Sequence, residues 1–130
     1  MRIEDLLIRQ RPNDKIALKY ANKGISFNEW DNQSSILSQI ISSIADDNSK
    51  HIGIYLSNSI NYATSYFGIL YSKKVVIPIG TQAKYPEIFS TLDYCEVDLL
   101  ITDSKNSVEI TKNIELYKNR LVLFIIDSSE

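Results

Sequence analysis

Residues 51–79 read HIGIYLSNSINYATSYFGILYSKKVVIPI. Two apolar runs, His51 to Leu56 and Val75 to Ile79, enclose a stretch from Ile60 to Tyr71 with helical spacing. A strand that is apolar on both faces has no side to show water. Two such strands separated by one helix are the unit of a parallel sheet covered on both sides. Ser59 stands where that helix needs an N-cap, and the spacing places Ala63, Phe67 and Leu70 inward. Gly80 closes the second strand.

The same alternation continues downstream. Pro86 suits the first turn of a helix whose apolar face is Ile88, Phe89 and Leu92. Val97 to Thr102 reads as a strand, Val108 to Tyr117 as a helix, and Leu121 to Ile126 as a fourth strand. Upstream, Ile3 to Arg9 is a short amphipathic helix with Ile3, Leu6 and Leu7 on one side, ending near Pro12-Asn13-Asp14. Ile16 to Tyr20 and Ile25 to Phe27 form a hairpin around the turn Ala21-Asn22-Lys23-Gly24. Ser26 and Glu29 have the spacing of a capping box. Behind them Trp30, Ser34, Leu37, Ile40, Ile41 and Ile44 make one stripe of a helix that runs to about Ala45 and breaks at Asp46-Asp47-Asn48-Ser49. The fold class is therefore α/β: a mostly parallel sheet with helices on both faces and an N-terminal β-hairpin. One domain over 1–130 is expected, with no internal boundary; 1–27 holds the helix and hairpin, and 28–130 the α/β unit.

Composition excludes several functions. The 130 residues carry 14 Lys+Arg against 16 Asp+Glu, a formal charge of −2, so no unspecific pull toward nucleic acid or an anionic membrane is expected. One cysteine, Cys95, and one histidine, His51, leave no disulfide framework and no Cys-rich zinc site. The N-terminus has two acids within its first five residues and no apolar h-region, so it is not a secretory signal, and a cytoplasmic protein is expected.

Individual candidates reduce to structural roles. The glycines at 24, 53, 68 and 80 form no phosphate-cradling turn of the Rossmann or P-loop kind. His51, beside Lys50, has no second imidazole and reads as an edge residue. Cys95 sits between Asp93 and Glu96, whose charges disfavour a thiolate. Asp46-Asp47 reads as a solvated helix break rather than a metal pair. Ligands of parallel sheets gather beyond the carboxyl ends of strands. Here those ends are Ser57-Asn58-Ser59, Gly80-Thr81-Gln82 and Asp103-Ser104, which offer hydroxyls and one acid but no base. Asp103 is either a phosphoacceptor or ribose ligand, or a helix cap.

The order of segments resembles the adenylate-forming (AMP-binding) enzyme superfamily of acyl-CoA synthetases and nonribosomal peptide adenylation domains. Ile16-Ala17-Leu18 followed by Ile25-Ser26-Phe27-Asn28-Glu29-Trp30 is similar to its opening "IAL…ITYxEL". Ile52-Gly53-Ile54-Tyr55-Leu56-Ser57-Asn58-Ser59 resembles "VAIYLPNS". Tyr66 to Leu70 with Val75 to Ile79 resembles "YFAILKAGAVVVPI", and Tyr85-Pro86-Glu87 through Asp103 resembles "TPEELxYILxDSxAKxLITD". One departure is Ser72-Lys73 where the family has Ala-Gly, which implies a wider or strained helix exit.

The resemblance implies that the chain is an N-terminal subdomain of an AMP-dependent synthetase, scaffolding and inactive alone. The full enzyme would use ATP and Mg²⁺ to make an acyl-adenylate and pass the acyl group to the thiol of CoA or a carrier protein. The family's phosphate loop, ribose acid and mobile lysine have no counterpart here, so no catalytic, cofactor-binding or metal residue is carried over. The partner implied is the remainder of the synthetase, and uncovered apolar surface implies self-association of the isolated segment. The alternative is a free-standing interaction module of the same fold without catalysis.

Overall fold

Apolar strands that must bury both faces find helices on either side in the computed structural model, which describes residues 3–127 apart from 21, 22, 46, 58, 118 and 119. The turn residues Ala21 and Asn22, with Asp46 and Asn58, thus lie outside the described residues. In chain order the elements are α1 (Asp5–Ile8), β1 (Ile16–Tyr20), β2 (Lys23–Ser26), α2 (Phe27–Ile44), β3 (His51–Tyr55), α3 (Ile60–Tyr71), β4 (Val75–Pro78), α4 (Tyr85–Tyr94), β5 (Leu99–Thr102), α5 (Ser104–Lys112) and β6 (Val122–Ile125), with a 3-10 turn at Ile114–Leu116.

β1 and β2 pair antiparallel, and the other four strands form a parallel sheet in the order β4-β3-β5-β6. Alternation along the strands divides the core into two layers. Ile52, Ile54, Leu99 and Ile101 meet Leu37 and Ile41 of α2 and Ile69 of α3. Tyr55 and Leu100 face the other way, onto Ile88, Phe89 and Leu92 of α4 and Ile110 of α5. The hairpin feeds α2 through a complete capping box: the Glu29 N–H donates to Ser26 Oγ and the Ser26 N–H to Glu29 Oε1, each at 3.1 Å.

Four local expectations need correction. α3 buries Thr64, Ser65, Gly68 and Ile69, whereas Ala63, Phe67 and Leu70 are half-buried. The small residues win because α3 must lie close against α2: a Cβ on Gly68 would stand 3.0 Å from Leu37 Cδ2 and Cγ. In α2, Leu37, Ile41 and Ser34 are buried, Trp30 and Ile40 are half-buried, and Ile44 is exposed. The last turn of α2 overhangs the amino end of the sheet, where Ile44 lines a hollow with Ser49, Asp98, Arg120 and Val122.

The N-terminal helix is shorter than its sequence pattern, and of its apolar residues only Leu7 is buried; Ile3 and Leu6 are exposed. α5 begins at Ser104 rather than Val108 because Asp103 caps it, accepting from the Asn106 N–H at 2.7 Å. It therefore ends at Lys112, and Tyr117 follows the 3-10 turn.

Candidate functional site

Because the four sheet strands are parallel, their carboxyl ends share one edge. The sheet order decides which of those ends meet. β3 and β4 are neighbours, so Leu56 and Ser57 come beside Pro78, Ile79, Gly80, Thr81 and Gln82. Together with Tyr62 from the first turn of α3 they line a cleft of about 410 Å³. Its floor is fixed by the Ile79 N–H, which donates to Ile54 O at 2.9 Å. Ser59 caps α3 by accepting from the Tyr62 N–H at 3.1 Å, which also sets where the Tyr62 ring leaves the helix.

The chemistry of this lining is neutral. Ser57, Thr81 and Tyr62 supply hydroxyls and Gln82 an amide, over an apolar base of Leu56 and Ile79. Burial, then the neighbouring Tyr66, raises the Tyr62 phenol above its ordinary value, so it remains a neutral hydroxyl at physiological pH. Such a set orients a ligand by hydrogen bonds but supplies neither a general base nor a counter-charge. A triphosphate and its Mg²⁺ need both cations and carboxylates, so these residues do not fit that group. No nucleotide step is assigned to them.

The third strand end is diverted. Thr102 Oγ1 donates to Tyr55 O at 2.8 Å, tying β5 to β3 at the carboxyl edge. Both oxygens of Asp103 are engaged by Asn106, through its backbone N–H at 2.7 Å and its side-chain amide at 3.2 Å. Asp103 is thereby a helix cap. Ser104 turns to Asp127 after β6, its N–H donating at 2.9 Å and its hydroxyl donating to the other carboxylate oxygen. These two bonds, set against a slight burial cost, hold the Asp127 carboxyl below its ordinary value.

The remaining candidates are scattered. His51 opens β3 at the amino edge, across the sheet from the cleft. Cys95 is the half-buried C-cap of α4. Asp47 is exposed after α2. Among the described residues no three His, Cys, Asp or Glu side chains stand together as a metal group. Tyr62 was not singled out from sequence; its position three residues after an N-cap on the strand-end loop is the signal that would have found it. A second hollow, of about 390 Å³, opens at the amino edge beside Asp98 and Arg120. Parallel α/β sheets place ligands at the carboxyl edge, which favours the β3–β4 cleft over this hollow; the strand connections diverge at the neighbouring β3–β5 boundary, where Thr102 is tied to Tyr55.

The fold defines a structural class before it defines a family. Solved structures similar to this chain include a CoA ligase, a coenzyme A synthetase and an isolated N-terminal subdomain. Against an anthranilate CoA ligase, AuaEII, in complex with anthranoyl-AMP, the TM-score is 0.87 at 22% identity, covering 95% of this chain and 24% of that one. Against the O-succinylbenzoate coenzyme A synthetase of Bacillus subtilis it is 0.77 at 17% identity, covering 92% and 25%. The N-terminal subdomain of Klebsiella oxytoca NpsA gives 0.71 at 17% identity, covering 78% and 27%. The chain thus spans about a quarter of the length of the structures it matches. At such identities the likeness establishes the N-terminal subdomain fold. Residues 7–129 match the family of AMP-binding enzymes, and the chain belongs to it. No curated protein matches the chain in sequence.

Proposed function

We propose that residues 1–130 act as one N-terminal scaffold unit of an enzyme that activates a carboxylate with ATP and Mg²⁺. The product is an acyl-adenylate, whose acyl group then passes to the thiol of CoA or of a carrier protein. The observation that carries this reading is the family match over residues 7–129, which spans nearly all of the chain. The neutral lining of the β3–β4 cleft supports a supporting role rather than a catalytic one, since nothing in it offsets phosphate charge. On this reading the unit works in the cytoplasm, and its partner is the remainder of the synthetase. None of its helices is long and apolar enough to cross a membrane, among the described residues.

The test is pyrophosphate exchange. Purified chain with ATP, Mg²⁺ and a panel of carboxylates is expected to exchange labelled pyrophosphate no faster than buffer alone. Carboxylate-dependent exchange would sink the claim that this unit is inactive by itself. The positive half is read from the gene: an in-frame Ser/Thr/Gly-rich loop with lysine beyond Glu130 supports the synthetase, and a stop codon there supports a free-standing module.

A further inference from the structure

At the amino edge of the parallel sheet four polar residues follow the order of the strands. Lys74 stands just before β4, Ser49 before β3, Asp98 just before β5 and Arg120 before β6. The first three are joined: Lys74 Nζ donates to Ser49 O and Ser49 Oγ to Asp98 Oδ2, each at 2.6 Å. There the row breaks. Asp98 Oδ1 is buried with no hydrogen-bond partner, and Arg120 has neither hydrogen bond nor ion pair, among the described residues. Both residues line the hollow of about 390 Å³, whose apolar wall is Ile44 and Ala45 at the end of α2 with Leu99 and Val122.

A buried carboxylate oxygen without a donor is costly, and in a folded protein it calls for a partner. We propose that this hollow binds a small zwitterion, an α-amino acid with an apolar side chain. Its ammonium donates to Asp98 Oδ1, its carboxylate accepts from the Arg120 guanidinium, and its side chain lies on the apolar wall. The two ends of the gap carry opposite charges, which selects a ligand carrying both. A simple cation leaves Arg120 unmatched, and a simple anion meets the Asp98 carboxylate. A lone water satisfies Asp98 but uses neither Arg120 nor the apolar wall. This edge lies across the sheet from the β3–β4 cleft, so the amino acid is a second ligand and not a group that reacts there. The inference does not rest on the proposed activity, and neither test bears on the other.

An amide NMR titration of the full chain with L-leucine tests it. Saturable shifts are expected at Ala45, Leu99 and Val122, with Ser57 and Thr81 of the opposite edge unmoved. Leucinamide lacks the carboxylate and isocaproate lacks the ammonium, so each should bind at least about tenfold more weakly. Leucine should lose a similar factor against Arg120→Gln and against Asp98→Asn, which keeps an acceptor for Ser49 but no charge for the ammonium. Arg120 is exposed, so Arg120→Gln carries the comparison if Asp98→Asn does not fold by circular dichroism. A titration without saturable shifts, as when Arg120 closes directly on Asp98, overturns the proposal. So do shifts confined to the carboxyl edge, equal affinity for leucine and isocaproate, or binding indifferent to Arg120→Gln.

Discussion

Glu96 and Lys73 hold backbone positions that suit glycine, with φ of 55° and 62°. Each is the residue after a helix C-cap, and each helix closes with the same pair of bonds. After α4, the Val97 N–H donates to Leu92 O at 2.8 Å and the Glu96 N–H to Asp93 O at 3.1 Å. After α3, the Lys74 N–H donates to Ile69 O at 3.3 Å and the Lys73 N–H to Leu70 O at 3.0 Å. The left-handed residue is what lets the chain fold back, and a Cβ there is a steric cost. Lys73 is the strained exit that replacing the family's glycine implied. Glu96 is exposed, so Glu96→Gly should raise stability by about 0.5–1 kcal/mol, after glycine's own entropy loss. Lys73→Gly should gain less, because Lys73 Nζ lies 3.6 Å from Glu4 Oε1. Urea midpoints check both; a loss in Glu96→Gly would refute the strain argument. Gly68 is required for the opposite reason, since its added Cβ would press on the base of the Leu37 side chain, 3.1 Å from Leu37 Cβ. Gly68→Ala should therefore cost about 1–3 kcal/mol, and an unchanged midpoint would show that α2 and α3 can separate freely.

Three elements meet at Asp31. Arg11, between α1 and β1, donates through Nη2 to Asp31 Oδ1 at 2.6 Å and through Nε to Oδ2. The Tyr71 hydroxyl, at the end of α3, donates to Asp31 Oδ1 at 2.9 Å, and the guanidinium lies 5.9 Å from the Tyr71 ring centre. Burial by itself would raise the Asp31 carboxyl, but the bonds from Arg11 and Tyr71 outweigh it and hold it below its ordinary 3.8. Burial, then the bond to Asp31, pushes the Tyr71 phenol up. A depressed carboxyl stabilises the fold above its unfolded value and loses that contribution as pH falls through the native one. The loss thus belongs below about pH 4. Asp31→Asn should cost about 1–3 kcal/mol at neutral pH and flatten the acid limb of the stability profile. Urea unfolding at several pH values reads both, and an acid limb unchanged in the variant would refute the assignment. This cluster has no local signature, because its members are 20 and 40 residues apart. Caps and strands were legible because they are local: Ser26 with Glu29, Ser59 as the N-cap of α3, the apolar run of β3. The inward face of α3 was not, because a hydrophobic count favours Phe67 while close helix packing favours Gly68. Phe67 instead packs on Trp30, ring centres 4.6 Å apart.

At the scale of the molecule, strand order carries what local pattern cannot. Parallel strands made all three carboxyl-end stretches legible as one edge. Only the order β4-β3-β5-β6 brings Ser57 to Thr81 and Gln82 and sends Ser104 to Asp127 instead. The same order sets how stability is distributed. β3 and β5 occupy the middle of the sheet between two helical layers, and Ile52, Ile54, Leu100 and Ile101 are all at 0% exposure. The β1–β2 ladder is a separate two-stranded sheet whose Ile16 is 64% exposed. A two-stranded ladder draws its stability from what it leans on, here the start of α2, where the Phe27 N–H donates to Lys15 O at 2.9 Å. Opening it exposes little of the core, whereas opening β3 or β5 exposes both layers at once. Native-state hydrogen exchange should therefore find the amides of Ile54 and Ile101 exchanging only through global unfolding, with the full urea dependence of the whole chain. The hairpin amides should exchange through a smaller opening with a shallower urea dependence. Equal free energies and equal slopes for both groups would mean that the hairpin and sheet unfold as one cooperative unit, contrary to this layering.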